Sequence, residues 1–446
     1  MKYKVANISL GCSKNLVDSE ILLGILNEKK YEITNEINEA NIIIINTCGF
    51  INDAKEESIN TILELSEYKK EGNCKALIVA GCLAERYKEE LMKEMPEIDG
   101  IIGTGNLKDI EEVISSCLKG QNILKVGNTD SEYIENSSRV LTESSYMTYL
   151  KIAEGCNNFC TYCIIPKVRG RYRSRNMDSI IAEAKKLAKS GIKELILIAQ
   201  DTSKYGYDLY NEYKLPELLD RLNDIEGLKW IRILYLYPDN LTDEIISSIK
   251  RNDKVVNYVD IPIQHINDNV LKRMNRNTNK SEIVKLINKL RKEINNITIR
   301  TTLIVGFPGE TEEEFNELYD FVKETKFDKL GVFTYSREED TPAYKMPNQI
   351  DENIKEQRQK KIMELQREIS TEKTSDKVGK VYTVIIDEVI PNENVYIGRT
   401  YMDGPEIDGV VYVSSDNNLN IGDFIKVKIT EHLDYDLKGE VVYELS

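Results

Sequence analysis

Histidine is nearly missing from this 446-residue chain; there are two, His265 and His432. A zinc or di-iron centre built on several imidazoles is thereby excluded, so any bound metal must be held by sulfur. No cysteine follows Cys163, which leaves no downstream pair to close a four-coordinate zinc site. No apolar run approaches the ~20 residues of a membrane helix. The longest, "NIIIIN" at 41–46, suits a buried strand. Positive charge is not in excess either: 60 Lys and Arg stand against 75 Asp and Glu, a formal charge of −15. That argues against a chain that coats nucleic acid by neutralising phosphates. The amino terminus, "MKYKVANISLGCSKN", lacks the apolar core of a signal peptide, so a cytoplasmic location with no membrane partner is expected.

Cysteine is the residue that stands out, with eight. In a cytosolic chain these are metal ligands or reactive groups more often than a disulfide framework. The length allows two or three domains, and the pattern divides the chain into three. Over residues 1–126, short β-branched runs ("KVANISL", "NIIIIN", "KALIVAG") alternate with amphipathic stretches such as "AKEESINTILELSEYKKEG". That alternation predicts a parallel sheet covered by helices. Residues 127–145 are polar, rich in Ser, Asn and Thr, and read as a linker. From 146 to 372 six further strands are expected: "MTYLKIA", "ELILIAQ", "WIRILYLY", "VNYVDIPI", "TIRTTLIVGF" and "KLGVFTY". With helices between them they make a partial (β/α)6 barrel rather than a full eight-unit one. Residues 351–374 form a charged amphipathic helix. Over 375–446 the period becomes two, and four short runs predict a small antiparallel β-barrel. The fold class is α/β with an all-β C-terminal unit.

In "EGCNNFCTYCIIP", Cys156, Cys160 and Cys163 share one loop after the strand "YLKIA". A zinc knuckle is the bland alternative, but it lacks a fourth ligand. A cubane iron–sulfur cluster needs one ligand per iron, so three thiolates leave one iron open, and an open metal position belongs to chemistry rather than scaffolding. CxxxCxxC with aromatic Tyr162 before the last cysteine, on the first strand of a six-unit barrel, resembles the radical S-adenosylmethionine (SAM) superfamily. The resemblance implies a [4Fe-4S] cluster here whose open iron chelates SAM, and cleavage of SAM to a 5′-deoxyadenosyl radical. It also implies SAM contacts by Tyr162, Arg300 and Gly306, and by Gln200, a polar group at a strand's carboxyl end.

Cys12, Cys48 and Cys82 share one placement. Each lies just past the carboxyl end of an expected strand: "NISLGC", "IIIINTC", "LIVAGC". In an open parallel sheet, sites form outside those ends, so three distant thiols would converge. Three independent buried thiols are the alternative. Cys74 precedes its strand, and Cys117 lies on the apolar stripe of "DIEEVISSCLKG" with Ile110, Val113 and Ile114. Both are assigned to structure. Three cysteines, then a radical SAM barrel, then a small β-barrel resemble the methylthiotransferase family over essentially the whole chain. The resemblance implies a second [4Fe-4S] cluster on Cys12, Cys48 and Cys82, and a C-terminal barrel of the TRAM type. It also implies insertion of a methylthio group at an unactivated C–H bond. A sulfur donor and a low-potential electron donor are then required partners.

"SLGCSKNLVDSE" and "GRTYMDGPEIDGVVYV" resemble the RimO-type branch, which acts on the β-carbon of an aspartate in ribosomal small-subunit protein S twelve (uS12). Other members modify an adenosine of transfer RNA. Gly404 stands where alanine is usual in the branch. From Ser375 to Ser446, 6 Lys and Arg face 14 Asp and Glu, a net of −8. An RNA-binding barrel should be basic, whereas an acidic one suits a basic ribosomal protein; a solvated acidic surface is the alternative. A non-catalytic cluster scaffold or redox sensor remains a second class of function. Of the smaller signals, "RGRYRSR" (169–175) fits carboxylate or phosphate binding and a solvated strand equally. The resemblance places Arg169 and Arg175 near the site. Thr311 and Glu314 form a capping box, and His265 reads as a hydrogen-bonded structural residue. "GTGNLK" (103–108) lacks the third glycine of a dinucleotide loop.

Overall fold

The computed structural model describes residues 2–442 other than Lys30, Asn128, 132–137, Glu143 and Asn392. The isoleucine- and alanine-rich runs near the amino terminus form the middle of a parallel sheet. Its strands are β1 (Lys4–Ser9), β2 (Glu32–Ile33), β3 (Ile42–Thr47), β4 (Ala76–Gly81), β5 (Gly100–Ile102) and β6 (Ile123–Lys125), in the order β2-β1-β3-β4-β5-β6. β3 and β4 are buried on both faces, which is why they read as unbroken apolar runs rather than alternating ones. Ile43, Ile45, Leu77 and Val79 face one helical layer, and Ile42, Ile44 and Ile78 face the other. β2, β5 and β6 went unrecognised in the sequence because two or three residues carry no period. Cys74 and Cys117 lie in these two cores.

The second unit holds β7 (Met147–Lys151), a short antiparallel pair β8 (Ala153–Glu154) and β9 (Arg173–Ser174), then β10 (Glu194–Ile198), β11 (Trp230–Ile233), β12 (Tyr258–Asp260), β13 (Thr298–Val305) and β14 (Lys329–Thr334). β11-β10-β7 and β12-β13-β14 are parallel sheets. An Ile231–Val255 bridge and the bond from Leu236 N to Asp260 O join them, so six main strands curve into a partial barrel. Alternation decides the faces: Leu150, Leu195, Leu197, Ile233 and Leu303 pack outward against the helices. Met147, Tyr149, Ile196, Ile198 and Leu234 face inward. The capping box is present, with Thr311 Oγ1 accepting from Glu314 N and Glu314 Oε2 from Thr311 N.

The barrel is open between β7 and β14, and the N-terminal unit spans that gap. Leu16, Val17 and Ile21 of the helix Ser13–Glu28 pack on the inward residues of β7 and β10. On the far side, Lys55 and Arg86 grip buried Glu338, beyond β14, at 2.9 and 2.8 Å. The described part of residues 127–145 is anchored rather than loose. Arg139 donates to Glu20 and Glu183, and Val140 N to Glu20 O. The rest of that stretch lies outside the described residues.

The helix Glu352–Ser375 buries Ile362, Leu365 and Ile369 against the barrel and leads to a closed barrel of β15 (Val381–Val389), β16 (Val395–Thr400), β17 (Val411–Ser414), β18 (Phe424–His432) and β19 (Leu437–Val441). It is antiparallel except that β17 and β19 pair in parallel. β19, "LKGEV", is the strand that alternation missed; one apolar residue, Leu437, is buried beside Lys438 and Gly439. This barrel caps the amino ends of the larger one. Arg399 reaches Glu194 at the start of β10, Asp403 pairs with Lys329 at the start of β14, and Asp408 accepts from Tyr258 at the start of β12.

Glu194 is fully buried and shared by Arg232 and Arg399, both at 2.9 Å. Burial pushes its carboxyl up, but Arg399 and Arg232 outweigh that and hold it below its usual value of 4.5. Its stabilising effect is thus present above about pH 4.5 and lost as the pH falls through the depressed value. Glu194→Ala leaves buried Arg232 without its carboxylate, while Arg399 keeps Asp387 at 2.7 Å, and should cost about 3–5 kcal/mol in urea unfolding. Glu431→Ala, at an exposed pair with Lys438, should leave the urea midpoint nearly unchanged.

Candidate metal centre: two thiol triads and the charges between them

β1, β3 and β4 are neighbours and parallel, so the segments leaving their carboxyl ends emerge side by side. Cys12, Cys48 and Cys82 sit on those segments. Gly11 and Gly81, each before a cysteine, have φ of +87° and +92°. A Cβ at Gly11 would stand 2.6 Å from Cys48 Cβ, and one at Gly81 would stand 2.2 Å from Asn46 Oδ1. Only glycine lets the chains approach this closely. Asn15 locks the arrangement: its Nδ2 donates to Leu10 O at 2.9 Å and Thr47 O at 3.1 Å, and its Oδ1 lies 3.8 Å from the Cys82 thiol. Ser58 holds the Cys48 backbone through both its N and O.

The three thiols are electrostatically coupled. Burial, and then the charges of Cys12 and Cys48, push Cys82 up to about 12, with Arg169 opposing. Burial also raises Cys48. Loss of hydration pulls Cys12 upward too, but Lys14, Arg169 and nearby amides outweigh it and hold this thiol below the ordinary value. A thiolate is the form that ligates metal.

Cys156, Cys160 and Cys163 lie on the loop between β8 and a short helix, Ile165–Val168. The loop is pinned from several sides. Cys156 N donates to Gly170 O, Thr161 N to Met274 O, and Asn158 Nδ2 to Asp201 Oδ2. Cys160 Sγ lies 3.8 Å from Tyr237 OH. Arg276 stacks on the Tyr237 ring at 4.3 Å and donates to Tyr162 OH at 3.3 Å, bringing one buried guanidinium to this triad. Burial, then the neighbouring negative charges, push Cys156 up to about 12 and Cys163 higher still.

The elements that carry the two triads touch. Cys82 packs against Ile164, directly after Cys163, and against Val168. Between them, Lys151 bonds Asp18 and, at 2.7 Å, Glu154. Arg169, only 2% exposed, bonds Glu154 at 2.9 Å, Asp18 at 3.0 Å and Asn15 Oδ1 at 2.5 Å. Burial alone would raise Glu154; Arg169 and Lys151 hold it far below the usual carboxylate range. Asp18 and Asn15 belong to the first unit, and Lys151, Glu154 and Arg169 to the second. A cavity opens onto this network, bordered also by Thr104, Gly105, Ser131 and Arg173.

Among the described residues no three His, Cys, Asp or Glu side chains are grouped so as to hold a single metal ion. The donor set fits a larger group instead: two all-sulfur triads, each able to serve three irons of a four-iron cluster. Gln200 fits a polar ligand at the second triad. It follows β10, its Nε2 donates to Glu154 Oε1 at 2.7 Å, and its Oε1 is buried without a partner. The Oε1 of Gln264, at the exit of β12, is likewise buried and unpaired. Tyr162 stands beside the thiols, packed with Phe307 and Tyr335.

The other expected residues have structural partners of their own. Arg300, the third residue of β13, bonds Asp260 at 2.9 Å and Asp408 of the C-terminal barrel at 3.5 Å; two carboxylates account for its charge. Gly306 has φ +72°, and a Cβ there would meet the Lys355 side chain at 2.2 Å, so helix packing accounts for that glycine. Arg175 is buried behind β7, on Lys151 O and Glu183. His265 is buried, with Nδ1 accepting from Asn267 N; burial, Arg273 and Arg358 lower it to about 3, so it is neutral. Sequence reasoning missed Asn15, Asp18, Glu154 and Arg276. Asn15 and Asp18 carried one usable signal, polar residues three apart on a helix rich in leucine and isoleucine.

Residues 150–322 match the Radical SAM superfamily, residues 4–103 the uncharacterized protein family UPF0004, and residues 378–442 the TRAM domain. "Ribosomal protein uS12 methylthiotransferase RimO" of Clostridioides difficile (strain 630) is 54% identical over 99% of this chain and 100% of its own length. The protein of the same name from Thermoanaerobacter sp. (strain X514) is 55% identical over 98% and 99%. Among solved structures, the radical SAM methyltransferase TsrM of Kitasatospora setae aligns with a TM-score of 0.57 at 14% identity, over 91% of this chain and 82% of that one. That likeness is one of fold.

If each triad holds its own cluster, Cys12→Ala and Cys156→Ala should each retain roughly half the iron and acid-labile sulfide of the reconstituted protein. Cys74→Ala should retain all of it. Iron and sulfide assays decide this directly.

Proposed function

The chain belongs to the RimO family of ribosomal protein uS12 methylthiotransferases, and from that premise we propose that it adds a methylthio group to the β-carbon of an aspartate in uS12. The observation that carries this reading is the pair of thiol triads on two units tied together by the network of Asp18, Lys151, Glu154 and Arg169. When bound, two [4Fe-4S] clusters and SAM supply reductive cleavage of a sulfonium, a carbon radical able to take hydrogen from an unactivated C–H bond, and a sulfur to be methylated and delivered.

The protein's own residues do the rest. Cys156, Cys160 and Cys163 hold one cluster and Cys12, Cys48 and Cys82 the other, three thiolates each, so that each keeps an open iron. The unpaired Oε1 of Gln200 supplies an acceptor for a polar group of SAM, and Tyr162 walls that side. Gly306 borders the same end of β13 as part of the wall. Arg276 and Arg169 place one cation beside each triad, which favours the anionic state of the sulfur ligands. No general base is called for, because the target carbon has no acidic proton. A low-potential electron donor and a sulfur donor complete the partners.

Charge favours the protein substrate over transfer RNA. The C-terminal segment's net −8 repels phosphate and attracts a basic ribosomal protein. Among the described residues, no helix is long and apolar enough to cross a membrane.

After anaerobic reconstitution and reduction, the protein should convert SAM to 5′-deoxyadenosine, and mass spectrometry should find a methylthio gain on uS12 and none on transfer RNA. A gain on RNA alone would reverse the substrate assignment, and no 5′-deoxyadenosine at all would leave only a cluster scaffold.

A further inference from the structure

Lys14 lies two residues past Cys12, in the first turn of the helix Ser13–Glu28, and is 7% exposed. Among the described residues no carboxylate pairs with its ammonium. The nearby acids are already engaged: Asp18 by Lys151 and Arg169, and Glu154 by the same two cations. Lys14 Nζ sits over the ring of Tyr235, with the centroid at 3.0 Å. Taking an ammonium out of water without a carboxylate to bond it is costly; the nearby Cys12 thiol, which Lys14 holds down, and the cation–π contact return only part of that.

Tyr235 is held in place at some cost as well. It follows β11 with φ +61°, a left-handed conformation that a tyrosine rarely adopts. Its N donates to Asp260 Oδ2 at 3.0 Å, and its O accepts from Thr202 N at 3.0 Å. Strain fixed from both sides belongs typically to a working position. The ring comes from the carboxyl end of the barrel and the lysine from the loop of the first triad, so the pair spans the junction where the substrate carbon must lie.

The β-carbon of an aspartyl side chain is bonded directly to its carboxylate. A cation that grips the carboxylate therefore fixes the reacting carbon one bond away. We propose that Lys14, backed by the Tyr235 ring, binds the carboxylate of the substrate aspartate and positions its β-carbon between the two triads. This rests on the assignment of a uS12 aspartate as the substrate.

A double-mutant cycle tests it with the cluster-loaded protein. Binding of uS12 is measured for the wild type, Lys14→Met and Lys14→Arg, against native uS12 and a uS12 variant with asparagine at the modified position. Lys14→Met should weaken binding of native uS12 about tenfold or more at unchanged iron content, and Lys14→Arg should retain most of the affinity. The asparagine variant should bind the wild type as weakly as native uS12 binds Lys14→Met, with no further loss when the two changes are combined. Additive losses would overturn the proposal. So would unchanged binding by Lys14→Met, or a loss of iron in Lys14→Met with undiminished uS12 affinity in its loaded fraction. Modification of uS12 by the wild type without Lys14–aspartate coupling refutes the role of Lys14 alone. A wild type that leaves uS12 unmodified refutes the substrate assignment beneath it.

Discussion

Four charges buried together, Asp18 and Glu154 against Lys151 and Arg169, set the distance between the two halves of the site. No member is stable there alone, since an unpaired buried charge costs several kcal/mol. The N-terminal unit cannot slide along the barrel without breaking at least two of these pairs. Delivery of sulfur to a carbon tolerates little error in position, and a charge network with fixed directions supplies what an apolar contact would not. The aliphatic contacts of Leu16, Val17 and Ile21 beside it provide adhesion, and the ions provide register.

The same division recurs at the other end of the barrel. Glu194 between Arg232 and Arg399, and Asp408 between Tyr258 and Arg300, fasten the C-terminal barrel over the amino ends of the strands. The thiols lie beyond the carboxyl ends. The acidic module is therefore mounted away from the thiols. The parts of the barrel framework that face neither end are ordinary hydrophobic packing.

Strand positions and cysteine placement were legible in the sequence because both depend on local pattern. β3, β4 and the six main barrel strands announce themselves through apolar runs, and Cys12, Cys48 and Cys82 through their position just past strand ends. Edge strands of two or three residues and the polar β19 do not, because their identity comes from a neighbour and not from a period. Ion-pair partners were illegible for a related reason. Arg300 and Arg175 look like any arginine near a strand end, and only the fold reveals that carboxylates or carbonyls already occupy them. Asn15 and Arg169 are far apart in sequence and make one hydrogen bond, which no single stretch encodes.

Arg169 carries an implication for biosynthesis. The first thiol triad is complete once Cys82 has left the ribosome, while the guanidinium that offsets its negative charge belongs to a domain translated later. Domains emerge and fold in order from the amino terminus. In the nascent chain these thiols therefore face one another with Lys14 but without Arg169 to offset their charge, and an inserted cluster would be least secure then. Maturation of the first centre is tied by electrostatics to docking of the second domain, so the order of synthesis and the order of loading need not be the same.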